Sequence, residues 1–164
     1  MSDELIDLYT RDGTPAGLVI GRGEPIPEGL YYRVCAVWLV NAEGKLLIQR
    51  RSMRKPTFPG RWCSSAGGVV QAGESDLDGA IRETQEELGI TPDLSCGQLL
   101  MTVPGATALH AIWLFRQDVP LSALTLQAEE VDEARYVTPE ELRQIISGGG
   151  FVRENYIERM LMLL

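Results

Sequence analysis

The run Val34-Cys35-Ala36-Val37-Trp38-Leu39-Val40 contains no charged side chain. A strand with one face in water alternates apolar and polar residues. A strand that is apolar at every position is buried on both faces and needs a layer of structure on each side. Asn41-Ala42-Glu43-Gly44 supplies a turn, and Lys45 to Arg51 reads as the returning strand. This hairpin therefore belongs inside a sheet, and the covering layers must come from the rest of the chain.

Upstream, Leu5-Ile6-Asp7-Leu8-Tyr9, Asp12-Gly13 and Gly17-Leu18-Val19-Ile20 read as a hairpin over 5–20 with an Asp-Gly turn. Residues 21–29 are a Gly/Pro connector. Downstream, Ser75 as N-cap, Asp76 and Asp78 in the first turn and Gly89 as a left-handed stop predict a helix over 75–88. Cys96 to Val103 and Leu109 to Arg116 read as strands, and Ala134 to Val137 as a short one. Thr138-Pro139-Glu140-Glu141 opens a helix to about Ser147, with Thr138 and Glu141 as a capping box. After Gly148-Gly149-Gly150, an amphipathic helix is predicted over 153–163. Met160 to Leu164 reads as docked on the sheet in preference to a dimer contact, leaving a monomer or a homodimer. Strands interleaved with helices, with no repeat or dividing linker, predict one α/β domain over 1–164, a mixed sheet packed between helices.

The 164 residues suit one ordinary domain. With 23 Asp+Glu against 15 Lys+Arg, the net charge of -8 disfavours a nucleic-acid polymer as partner, because duplex binding rests on neutralising phosphates. Cys35, Cys63 and Cys96 are odd in number and lack any C-x-x-C pair, so neither a disulfide framework nor a zinc site is expected. The first residues lack a signal-peptide pattern and no apolar run approaches a membrane span. The expectation is a cytoplasmic protein.

Chemistry concentrates at 68–90. At about 100° per residue, Leu77, Ala80, Ile81, Thr84 and Leu88 share one arc of the helix, and Glu83, Glu86 and Glu87 share another. Like charges at such spacing repel by a few tenths of a kcal/mol per pair, so this face wants a cation. Arg82 offsets part of that, and Glu74 is placed to pair with Arg82 and pin the preceding loop to the helix. A glycine turn at Gly68 brings a backbone carbonyl close to the helix. Carboxylates plus a carbonyl are hard donors suited to Mg²⁺ or Mn²⁺. A solvated acidic face is the plainer alternative.

Gly68, Glu74, Arg82, Glu83, Glu86, Glu87, Gly89 and Ile90 fall on the pattern G-x5-E-x7-R-E-U-x-E-E-x-G-U, where U is a bulky aliphatic residue. The segment resembles the Nudix box, the signature of the Nudix hydrolases. Thr84, at the first aliphatic position, is the one departure. Leu46 to Arg51, Lys55, Pro59-Gly60-x-Trp62 and Ala66-Gly67-Gly68 resemble the branch that includes isopentenyl-diphosphate isomerase and its hydrolase-like relatives. Glu130 to Glu133 and Tyr136 to Leu142 resemble the family's C-terminal half, so the likeness spans about 5–145. It implies a Nudix α/β/α sandwich and hydrolysis of a diphosphate linkage in a nucleoside diphosphate joined to another moiety, or in a similar small organic diphosphate. It implies that Glu83, Glu86, Glu87 and the Gly68 carbonyl hold Mg²⁺, with Mn²⁺ as substitute. Glu86 or Glu87 would act as base, Glu83 mainly as ligand. Arg51 and Lys55 would contact phosphate, Glu74 and Arg82 would shape the box, and Glu130 would be a further ligand or base, or surface.

The isomerase pattern requires a cysteine where this chain has Gly67, and histidine ligands where it has Tyr31-Tyr32-Arg33. The lone histidine, His110, reads as structural. Hydrolysis is therefore preferred over isomerisation. It is also preferred over a catalytically silent ligand-binding module, which would show a broken box, and over a partner-binding role for the acidic helix. Tyr31, Tyr32, Phe58, Trp62 and Trp113 are aromatic candidates for stacking a leaving group, with burial in the core as their plainer role.

Overall fold

A computed structural model describes residues 3–164. An N-terminal hairpin, β1 (Leu5–Tyr9) and β2 (Pro15–Gly21), precedes β3 (Tyr32–Val40), β4 (Leu46–Arg51), β5 (Trp62–Cys63) and β6 (Ala66–Val69). Helix α1 (Asp76–Leu88) follows, then β7 (Gly97–Pro104), β8 (Ala108–Arg116), β9 (Val131–Val137), α2 (Pro139–Ser147) and α3 (Ile157–Leu161). Strand β3, apolar throughout Val34 to Val40, is central, as that composition demands. It pairs in parallel with β8 along its whole length, from Tyr32↔Ala108 to Val40↔Arg116, and β7 lies antiparallel outside β8.

On its other edge β3 changes partner. Leu39 and Val40 pair with β4, whereas Val34 to Val37 pair with β6. β4 peels away and takes β5 against Gln49 and Arg50, with β9 along its far edge. The β5–β6 segment thus fills a wedge between two diverging strands, and the candidate site lies there.

Alternation sorts the β3 side chains into two cores. Cys35, Val37 and Leu39 pack with Leu47, Ala66, Val70 and Phe115 against Ala80 and Leu88 of α1. Ala36, Trp38 and Val40 pack with Ile48, Ile112 and Leu114 against Leu142 of α2 and Phe151, Tyr156, Ile157 and Met160 of the C-terminal segment. Helices on both faces of a mixed sheet make the α/β/α sandwich expected from the sequence. Buried Trp38 finds a partner for its indole: Nε1 donates to the Tyr156 hydroxyl at 3.1 Å.

Two elements differ from the sequence expectation. β9 begins at Val131, before the expected 134, because the Arg51↔Val131 pairing extends the ladder past a register shift. The last helix is only five residues long. Residues after Gly150 are drawn along β5 instead, with Trp62 N donating to Gly150 O at 2.9 Å and Val152 N to Trp62 O at 2.8 Å. Phe151 is buried and stacks on Trp38 with centroids 6.2 Å apart. Burial of this aromatic in the core overrides the helical periodicity that follows it.

Candidate functional site

Helix α1 is held at both ends by local chemistry. Ser75 Oγ accepts from Asp78 N and Asp78 Oδ2 accepts from Ser75 N, each at 3.1 Å, a reciprocal cap. Gly89 closes the helix at φ 69°, where a side chain would also meet Thr125. Thr84 is fully buried, and its hydroxyl donates to the Ala80 carbonyl at 2.7 Å. That bond explains how a polar residue fits an aliphatic position.

The loop ahead of α1 is fastened to it through Arg82. Its Nε and Nη2 donate to the two oxygens of Glu74 at 2.7 and 3.1 Å, and Nη2 also reaches the Val69 carbonyl at 3.0 Å. This two-pronged geometry belongs to arginine and would not survive replacement by lysine. The Arg82 hydrogen bonds hold the Glu74 carboxyl below its ordinary value against the opposing effect of burial. Gln71 N adds a donor to Glu74 at 2.9 Å.

The acidic arc does not stay together. Glu87 turns inward to 7% exposure and accepts from Gln49 Nε2 on β4 and from Gly67 N at 3.3 Å. Glu83, with its side chain 15% exposed, accepts from Arg82 Nη1 at 2.8 Å and hydrogen-bonds Glu87. Its carboxylate lies against Gly68, where a Cβ would come within 2.4 Å of Oε1 and displace it. Glu86 instead points outward at 51% exposure, 3.4 Å from Arg82 Nη1. Among the described residues, no three His, Cys, Asp or Glu side chains gather into one cation cage. The three carboxylates expected together are here a buried pair, with Glu86 turned outward on the same helix.

Burial pushes both Glu83 and Glu87 above the ordinary carboxylate range; Arg82 works against this at Glu83, whereas the charge of Glu83 adds to it at Glu87. Among the described residues Arg82 is the single cation paired with them, so two buried carboxylates face one positive charge. Gly68, against which the Glu83 carboxylate lies, has a carbonyl that accepts from Cys35 Sγ at 3.5 Å. These residues fit a divalent hard cation, which would supply the positive charge that Arg82 alone does not.

The expected phosphate contacts flank the pair. Arg51 lies two residues beyond Gln49 on the same face of β4, and its guanidinium holds the Thr57 carbonyl and hydroxyl at 3.0 and 3.3 Å. Lys55 Nζ is ion-paired with Glu130, whose backbone oxygen accepts from Ser52 N at 2.8 Å. Lys55 and Glu130, separate candidates in the sequence, thus form one unit. Cys63 faces the same wedge, but burial pushes its thiol up to about 12, as it does that of Cys35, so neither is a nucleophile at neutral pH.

Other candidates fall outside the wedge. Alternation puts His110 on the face of Ile112 and Leu114, away from α1, and burial alone lowers its pKa. Trp113 stacks on Phe115 in the α1-side core. Trp62 lies under the Arg135 guanidinium at 4.6 Å, and Phe58 is exposed at the loop rim beneath Arg61. A cavity of about 290 Å³ opens between the β1–β2 turn, the start of α1 and β8, lined by Arg11, Arg33, Asp76 and Leu109, and none of the motif carboxylates reaches it. Sequence reasoning missed Gln49 and the Gly67 amide. Gln49 left a signal, a polar residue two positions after core-facing Leu47; a backbone amide leaves none.

Comparison with known proteins follows the same lines. The family model described as NUDIX domain matches residues 30–157, beginning after the N-terminal hairpin. The chain is 38% identical over 157 residues to an uncharacterized Nudix hydrolase of Listeria monocytogenes, covering 96% of this chain and 93% of that one. It is 40% identical over 139 residues to another from Pseudomonas aeruginosa, covering 84% and 80%. A crystal structure from Deinococcus radiodurans is similar at a TM-score of 0.79 and 25% identity, over 97% of this chain and 98% of that one.

Proposed function

The chain belongs to the Nudix family of hydrolases, enzymes of pyrophosphate bonds, and from that premise we propose a divalent-metal-dependent reaction on a small diphosphate. The substrate class is a nucleoside diphosphate joined to another moiety, or a similar small organic diphosphate, with Mg²⁺ as the metal and Mn²⁺ as its substitute. The observation that carries the reading is the Glu83–Glu87 pair, two carboxylates buried in contact with Arg82 as the single cation paired to them among the described residues. Glu83 and Glu87, with the Gly68 carbonyl and Glu86 once its side chain swings inward, would hold the ion. When bound, the ion supplies charge neutralisation at the phosphate oxygens and a lowered pKa for an attacking water.

The remaining roles belong to the chain's own residues. Glu74 and Arg82 keep the loop and helix in register, so that Gly68 and Glu83 stay opposed. Gln49 and the Gly67 amide fix the Glu87 carboxylate. Arg51 would orient the diphosphate, and Lys55 would exchange Glu130 for a phosphate oxygen. No helix among the described residues is long and apolar enough to cross a membrane, and Cys35, Cys63 and Cys96 are free thiols. The isomerase-like branch is retained as the second reading through Arg51 and Lys55, and Gly67 counts against its chemistry, since a Cβ there would lie 2.5 Å from the Cys35 carbonyl oxygen.

The test is a hydrolysis screen over nucleotide sugars, dinucleoside polyphosphates, oxidised nucleotides and prenyl diphosphates, with Mg²⁺, Mn²⁺ or EDTA. At least one class should turn over only with metal, and Glu83→Gln and Glu87→Gln should each lower that rate by about 100-fold or more. Full activity in both variants would overturn the assignment.

A further inference from the structure

Of the five aromatic residues that could stack a leaving group, the fold leaves one in the open. Tyr31, Tyr32, Trp62 and Trp113 are half-buried, whereas Phe58 is 47% exposed. Its backbone lies at φ 50°, and among the described residues no other side-chain-bearing residue takes the left-handed region. A bulky side chain is crowded against its own backbone there, so a fold keeps one only where its surroundings force it.

Two arginines do the forcing. The loop over 52–60 closes where Arg51 N donates to Arg61 O at 2.8 Å and Gly60 N to Arg51 O at 3.0 Å. The Arg51 guanidinium reaches into the loop and donates to the Thr57 carbonyl at 3.0 Å, the oxygen of the peptide that ends in Phe58 N. Arg61 N donates to the Phe58 carbonyl at 3.3 Å, and the Arg61 guanidinium lies over the Phe58 ring at 5.7 Å. Both peptides of Phe58 are therefore held, and its ring stands out from a closed loop.

This rim is tied to the carboxylate pair through β4. Arg51 lies two residues, about 7 Å, from Gln49, whose Nε2 donates to Glu87. The rim also has the sign that an anion needs. Between Glu43 and Glu74 the chain has no acidic residue, whereas Arg51, Arg54, Lys55 and Arg61 all fall in 51–61. On a chain of net charge -8, this loop is where a phosphate can approach. A flat ring joined to a diphosphate uses these features together, with phosphate at Arg51 and the ring against Phe58 and Arg61.

Resting on the hydrolase reading above, we propose that Phe58 and Arg61 form the subsite for the nucleobase of the substrate, which places the substrate among nucleoside diphosphate derivatives and not among prenyl diphosphates. The base stacks on the Phe58 ring, Arg51 takes the diphosphate, and the bond to be broken lies toward the Glu83–Glu87 pair. Phe58 acts by binding alone and takes no part in the bond change.

Calorimetry with Mg²⁺ tests this without turnover. The probes are the α,β-methylene analogues of ADP and UDP, which carry a base, and methylenediphosphonate, which has none. Wild type should bind at least one nucleotide probe about 10-fold or more tighter than methylenediphosphonate. Phe58→Gly removes the ring and suits the left-handed backbone, so its melting temperature should equal or exceed that of wild type. It should weaken that nucleotide probe by about 10-fold or more and leave methylenediphosphonate within about twofold, and Phe58→Tyr should restore the nucleotide affinity. Equal binding of all probes by wild type overturns the proposal. So does a nucleotide affinity in Phe58→Gly within about twofold of wild type, an equal loss for methylenediphosphonate, or a melting temperature well below wild type. Glu83→Gln and Glu87→Gln, in the hydrolysis screen, judge the underlying reading. With both inactive, any of those results removes the base subsite alone; with both fully active, the hydrolase site is wrong and the subsite falls with it.

Discussion

Glu87 takes its two hydrogen bonds from neutral donors, the Gln49 amide and the Gly67 N–H, while its acidic neighbour Glu83 holds the available arginine. Among the described residues no Lys, Arg or His is ion-paired with Glu87, and burial pushes its carboxyl up to about 8. Glu87→Gln should therefore raise the melting temperature of the metal-free protein by a few degrees, at about 2–4 °C per kcal/mol in a domain of this size. It should also abolish the rise that Mg²⁺ gives the wild type. Scanning calorimetry with EDTA and with Mg²⁺ measures both, and a metal-free melting point below wild type would refute the like-charge account. At this scale the spacing Gly68, Glu74, Arg82, Glu83 and Glu87 was legible because each position does one local job. Glu86 was not resolved from its neighbours, since a 100° arc covers both the packed edge of a helix and its open side. Phe58 could not be told from the other aromatics in the sequence, because its exposure depends on how Arg51 closes the loop.

Among elements, α1 is the one whose limits were readable in full: Ser75, Asp78 and Gly89 act within a few residues of themselves. Ser75→Ala should cost about 1 kcal/mol through loss of the cap. The melting temperature should fall by about 2–4 °C while kcat per folded molecule stays near wild type. A drop in kcat without a drop in stability would mean that the cap positions Glu83 directly. β3 was equally readable, because a strand apolar on both faces has one kind of environment open to it. The chain after Gly150 was not. Its pattern fits a helix, but burying Phe151 against Trp38 is worth more, roughly 1.5–3 kcal/mol for a side chain of that size, than a short helix gains by itself.

For the whole molecule, acidity of -8 ceases to oppose an anionic substrate once part of it is assigned to a cation site. It also gives the protein a pH signature. Glu154, half-buried in the segment after Gly150, has a folded value near 7 against an ordinary 4.5, so its ionised form is disfavoured in the fold. Its contribution to stability is intact below about 4.5, declines as pH rises from there through about 7, and is flat above. In EDTA, the melting temperature of wild type should therefore fall more steeply between pH 5 and 8 than that of Glu154→Gln. Parallel curves would show that Glu154 is solvated. The layered fold was legible at this scale from strand and helix order, whereas the wedge was not, because β3 exchanging β4 for β6 is a matter of register between distant segments.

The contact between Gly67 and the Cys35 carbonyl bears on how such proteins diverge. A side chain of any kind at 67 would require the β3 backbone to move first, since the obstructing atom is main chain and cannot rotate aside. Installing a side-chain nucleophile there therefore requires a backbone shift in β3 as well as the substitution itself. Descendants of this sequence can exchange leaving groups by altering the loop rim, but on that side of the pocket they are confined to reactions in which solvent does the attacking.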